Sequence, residues 1–158
     1  MLNNFTYVFN EGPFETIEEL TASWNIGNCR RALQAYLYYE REIFLTPEEV
    51  LQPNGYLRTG EFIFKSKEEI DWNRLEPGDI IYAEIICNKR GEIVDRSLAA
   101  FGTADEYFIA LHTAIYTGKM NEEIYHATAI DGISCLWSLE KFNSFYKPVA
   151  VKRIVQST

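Results

Sequence analysis

The sequence predicts an α+β fold in which helices come first and a mainly antiparallel sheet follows. Helical spacing of apolar residues runs through residues 16–37, whereas strand-like apolar runs dominate from residue 80 onward. The aromatic content, 15%, suits a β-rich core or an aromatic-lined cleft. No internal repeat, low-complexity tract or Gly/Ser linker interrupts the 158 residues, so one domain spanning 1–158 is expected.

Thr16 followed by Glu19 is the capping-box pattern, and Ile17, Leu20 and Trp24 recur at helical spacing, which predicts a short helix over 16–24. After a turn at Asn25 to Asn28, Cys29, Ala32, Leu33, Tyr36 and Leu37 follow the i, i+3, i+4, i+7 pattern of an amphipathic helix with Cys29 in its first turn. The "AYLYYE" aromatics of this helix are mostly packing residues, with Tyr38 or Tyr39 placed to face a cleft. "TPEEVLQPNG" holds one more helical turn, stopped by Pro53 and Gly55, and "EFIF" at 61–64 is a short strand. Pro77 and Gly78 mark a turn before the strand "IIYAEIIC" at 80–87. "EYFIALHTAIYTG", "EEIYHATAI" and "YKPVAVKRIV" give three further strands, and "SLEKFNSF" a short helix opened by Ser138.

A net charge of -8 and a pI near 4.8 argue against nucleic-acid or anionic-membrane partners, because phosphates would be repelled; a cationic or neutral ligand suits the surface better. No apolar run approaches the roughly 18–20 residues of a membrane span, and "MLNNFTYVFNEGPFE" lacks a basic segment followed by an apolar one, so a soluble, cytoplasmic protein is expected. Cys29, Cys87 and Cys135 are an odd number without CxxC spacing, which indicates neither a disulfide framework nor a zinc ribbon. No cofactor is implied. Cys87 and Cys135 read as core residues, and Asp105 and Glu106 as solvated ones.

Both histidines lie in "HTAIYTGKMNEEIYHA", residues 112–127. With Gly118, Lys119 and Met120 as the loop, His112 and His126 face each other on paired strands, with Cβ atoms ~4.5–5.5 Å apart. His112 is flanked on its face by Ala110 and Ala114, and His126 by Ile124 and Thr128, which leaves room for another element. The helix beginning at Cys29 is the obvious one. A cysteine in a first helical turn gains thiolate character from the partial positive charge there, and its backbone N–H can point at a developing oxyanion. His112 would then serve as base and acid, and His126 would orient it.

A cysteine at a helix start, then "LEPGDIIYAE", then "HTAIYTGK" and "IYHAT", resembles the NlpC-like cysteine peptidases of the papain-like fold. In that family L-x-P-G-D opens the first core strand, H-V-G-I-Y-x-G carries the base, and x-x-H-A carries the third polar residue. The resemblance covers 24–37, 75–86 and 111–130. It implies N-terminal helices packed on the sheet, and catalytic roles for Cys29, His112 and His126. The implied reaction is cleavage of a peptide or small amide or acyl substrate through a thioester at Cys29. The family's D-C-S-G is here "NCRR", so Arg30 and Arg31 stand beside the thiol, where they narrow the cleft or bind an acidic group of the substrate. Residues 44–74 and 88–106 read as additions that roof the cleft.

Taken singly, Cys29 reads as a buried inert thiol and each histidine as a satisfied structural residue; only their joint placement suggests catalysis. A metal site of Cys29, His112, His126 and Asp131 has suitable ligand types, but its spacings match no standard zinc pattern. The alternative to a hydrolase is a non-catalytic binding or regulatory module that retains the papain-like fold.

Overall fold

The computed structural model describes residues 12–22, 28–51, 56–88, 107–128 and 133–154. Helix α1, Ile17–Ala22, starts at the expected cap: Glu19 N–H donates to Thr16 Oγ1 at 3.1 Å, and Glu19 Oε2 accepts from Glu15 N–H at 3.3 Å. It buries only Leu20, and Trp24 lies outside the described residues. Helix α2, Cys29–Arg41, is capped by Asn28, whose Oδ1 accepts from Arg31 N–H at 2.9 Å. Its other end closes through Glu42 in the left-handed region, φ 58°, with Ile43 N–H reaching back to Leu37 O at 3.2 Å. Helix α3, Pro47–Val50, is the expected extra turn, with Pro47 at its first position. Pro53 and Gly55, expected to stop it, lie outside the described residues.

Among the described residues, six strands form one antiparallel sheet: β1 Glu61–Phe64, β2 Ile80–Asn88, β3 Tyr107–Tyr116, β4 Ile124–Thr128, β5 Ile133–Trp137 and β6 Lys147–Arg153, in the spatial order β1-β6-β2-β3-β4-β5. Helix α4, Leu139–Phe145, begins at Ser138, whose Oγ accepts from Lys141 N–H at 3.1 Å. The fold is therefore α+β with a mainly antiparallel sheet, as the order of periodicities predicts. Strand β5, "ISCLW", and a 3-10 turn at Trp72–Arg74 are additional to the expected elements. The segment expected to roof a cleft contributes β1 to the sheet edge instead, because "EFIF" pairs with β6. Cys87 side-chain packing, Asp105, Glu106, Asp131 and the rest of 89–106 lie outside the described residues.

Alternation along the strands sends neighbouring residues to opposite sides of the sheet, and each side has its own core. On one side Leu33 and Leu37 of α2, with Leu45, Val50 and Leu57, pack on Ile80, Tyr82, Ile115 and Ala150. On the other, Phe142 of α4, Tyr146, Phe64, Leu75 and Trp137 pack on Ile81, Ala83, Ala114, Ile124 and Val151. Cys135 is half-buried at the margin of this second core. The α2 side also holds a polar latch: Gln34, fully buried, accepts from Phe14 N–H at 2.7 Å and donates to Phe14 O and Leu45 O, both at 2.8 Å. One amide side chain thus satisfies three buried backbone groups. Among the described residues, no helix is long and apolar enough to cross a membrane.

Candidate functional site

Strand β3 places His112 and Ala114 on the α4 side and Ile115 on the α2 side; β4 likewise separates His126 from Tyr125. The β3–β4 register pairs Ile115 with Tyr125 and Tyr116 with Ile124. This is shifted by two residues from the expected ladder, so the histidines are not directly opposite. The loop is wider than Gly118 to Met120 because Thr117 Oγ1 bridges it, donating to Glu122 O at 2.6 Å and accepting from Lys119 N–H at 3.1 Å. An even shift keeps the side-chain face, so the imidazoles still meet along the diagonal. His112 Nε2 and His126 Nδ1 are 2.8 Å apart.

The pair is enclosed by aromatic rings. Tyr146 stacks on His112 at 4.4 Å and 18°, and Phe142 stacks in turn on Tyr146 at 4.9 Å and 18°. Trp137 meets His126 edge-on at 4.5 Å, while Lys141 Nζ lies 4.3 Å from the Trp137 ring centre. The Tyr146 hydroxyl hydrogen-bonds Thr128. Each imidazole is 1% exposed. Burial pushes the His112 pKa down to about 3. Burial also holds His126 well below its usual value, with the charges of His112 and Lys141 acting in the same direction. Both rings are therefore neutral near pH 7, one donating and one accepting in their shared bond. His126 Nε2 is buried without a hydrogen-bond partner among the described residues.

The structure brings His112 and His126 together but does not bring Cys29 to them. Cys29 is half-buried at the start of α2, which packs on the Ile115 and Tyr125 side, whereas the imidazoles point to the other side. The backbone of the sheet stands between thiol and rings. The room left by small neighbours such as Ala114 is taken by Phe142 and Tyr146; α2, with Leu33 and Leu37, is drawn to the Ile80, Tyr82 and Ile115 surface. Arg31 is committed elsewhere: Nε donates to Gly12 O at 2.8 Å and the guanidinium lies 4.6 Å from the Phe14 ring centre. Arg30 is half-buried on α2. Neither arginine adjoins the imidazole pair. Among the described residues, no three His, Cys, Asp or Glu side chains gather as a metal site.

Two features escaped the sequence reading. The aromatic cage is signalled by Phe142 and Tyr146 at i, i+4, a spacing also common to ordinary helix packing. The second is a groove of about 180 Å³ lined by Ala35, Tyr36, Tyr39, Glu40 and Tyr125. Tyr39 does face this cleft, as one of the two tyrosines expected to do so, but its partner across the groove comes from β4. Compared with known proteins, the chain matches no family model, no curated protein and no solved structure.

Proposed function

We propose that this chain is a non-catalytic binding or regulatory module. The observation that carries the reading is the sheet lying between Cys29 and the His112–His126 pair. A thiol hydrolase needs its base within hydrogen-bond reach of the sulfur, or one loosened contact away from it. Here the imidazoles spend their shared bond on each other and are sealed by Tyr146, Phe142 and Trp137. They hold the core together by packing and one buried hydrogen bond. The papain-like resemblance enters this reading as ancestry. Its supports are α2 preceding the strands, the Leu75 to Asp79 turn opening β2, and the histidine-bearing β3 and β4; the catalytic encounter is what the descendant lacks.

A broad panel of amide and ester substrates tests this directly. The expected result is no turnover above that of Cys29→Ala, and thiol-dependent hydrolysis overturns the reading. A second measurement follows alkylation of Cys29 against pH. The profiles of the unmodified chain and of His112→Gln should superimpose, because no imidazole touches the thiol; a displaced profile restores the hydrolase.

A further inference from the structure

The groove between α2 and β4 starts from helical spacing. Tyr36, Tyr39 and Glu40 stand at i, i+3 and i+4, so their side chains emerge together, and Ala35 beside them leaves an opening. Tyr125 of β4 adjoins Tyr36 in direct ring contact, centroids 5.4 Å apart with the planes at 34°, so the two form one continuous aromatic surface of the groove. Tyr39 is 61% exposed, yet an edge-on contact with Tyr38 at 5.4 Å supports its ring. Burial raises the pKa of both Tyr36 and Tyr125, and the Glu40 charge adds to the rise at Tyr36. The walls are therefore neutral phenol rings with electron-rich faces, and one carboxylate stands at the rim.

Among the described residues that line the groove, none is a cation. Arg41, the next residue along α2, donates to the Pro77 carbonyl, and its charge works against the rise at Tyr36 less strongly than burial and Glu40 drive it. Elsewhere the protein covers its own ring faces with cations: Arg31 lies over Phe14, Arg74 over Phe64, and Lys65 and Lys152 over Phe62. No such contact occurs at Tyr36, Tyr39 or Tyr125 among the described residues. A net charge of -8 adds a field that concentrates cations at the surface.

We propose that this groove binds an organic cation, an alkylated ammonium head group held against Tyr36, Tyr39 and Tyr125 with Glu40 as counter-charge. An alkylated ammonium is weakly hydrated and apolar at its surface, so aromatic faces compete with water for it. A bare ammonium keeps its water, and a neutral ligand of the same shape gains nothing from Glu40. The assignment names the ligand class for the binding module and rests on that reading for its biological role.

The test is titration of the full chain with tetramethylammonium, followed by NMR of the tyrosine rings. Saturable shifts at Tyr36, Tyr39 and Tyr125 are expected, with uncharged tert-butanol about tenfold weaker or more. Tyr39→Ala removes an exposed ring without touching either core, and should weaken binding about tenfold; Glu40→Gln should weaken it several-fold and flatten its salt dependence. Equal affinity for tert-butanol, unchanged binding in Tyr39→Ala, or no saturable response overturns the groove assignment. Tighter binding of a trimethyllysine peptide identifies a polypeptide side chain as the source, and equal affinity a free small cation; either supports the assignment. Thiol-dependent hydrolysis alongside saturable cation binding would overturn the non-catalytic reading alone, whereas a silent titration without turnover overturns the groove alone.

Discussion

Arg153 grips Asp79 with both edges of its guanidinium, Nε to Oδ1 and Nη2 to Oδ2, each at 2.8 Å. Asp79 is 1% exposed, and its Oδ2 also accepts from Glu76 N–H at 2.8 Å, so one carboxylate fixes the Pro77–Gly78 turn and ties β6 to it. Removal of the guanidinium strands a buried charge. Arg153→Met is expected to cost about 3 kcal/mol in urea unfolding, and Arg153→Lys less, because a single ammonium replaces the fork only in part. Equal stability of all three chains would show that the clasp contributes nothing.

Tyr146 serves the histidine cage twice, through its ring on His112 and its hydroxyl on Thr128. Tyr146→Phe keeps the stack and leaves the buried Thr128 hydroxyl short of this partner. A loss of about 1–2 kcal/mol is expected from denaturant unfolding, with the ring contacts to His112 retained in NMR. A loss of the ring contacts themselves would mean that the hydroxyl, not the stack, positions the helix end.

The imidazole pair makes stability depend on pH in a definite direction. Both rings are neutral in the fold, His112 with its pKa pushed down to about 3, while in the unfolded chain they titrate near the ordinary value. Between the two values the unfolded chain binds more protons, so stability is full above about pH 6.5 and falls as the pH drops through the window toward about 3. Lys141 from α4 adds to this by opposing charge on His126. Each imidazole supplies a slope of about 1.4 kcal/mol per pH unit, which urea unfolding at about pH 7 and about pH 5 would detect. The two together give about twice that slope, and His126→Leu should leave only the share of one imidazole, about 1.4 kcal/mol per pH unit. A midpoint that does not move between those conditions in the unmodified chain would contradict neutral burial.

Gln34 secures the segment around Phe14 by three hydrogen bonds, two of them to that one residue. Gln34→Ala leaves buried backbone groups unsatisfied and should cost about 3 kcal/mol. Limited proteolysis should then cut ahead of α2 before it cuts the sheet. An unchanged cleavage pattern would remove the latch from the list of contacts holding that segment.

Elements whose signals are local were legible. Asn28 before the Cys29 to Leu37 periodicity gave α2, Ser138 gave α4, and Pro77–Gly78 gave the turn into β2. Strand β5 was hidden because "ISCLW" does not alternate apolar with polar: Trp137 is buried on one side of the sheet, while Leu136, pointing to the other, is an apolar residue left exposed. The candidate site failed at a different level. Strand alternation establishes that residues 112 and 126 share a face, but it contains nothing about which helix covers that face. That choice follows from competition between Leu33 and Leu37 on one hand and Phe142 and Tyr146 on the other, and it is settled only when the whole sheet is assembled.

The position of β6 has a consequence for the order in which this chain can fold. It is inserted between β1 and β2, so β1 gains its hydrogen-bonded neighbour only through Arg153, Lys152 and Val151. While the chain is still emerging from a ribosome, β3 with β4 and β4 with β5 can already pair as hairpins of short sequence separation, and α2 and β2 can join them before β6 is available. β1 must wait beside them as an unpaired, partly apolar strand. Closure of that long loop is then the slow event, and the interval before it is when the chain is most open to joining a neighbouring molecule edge to edge.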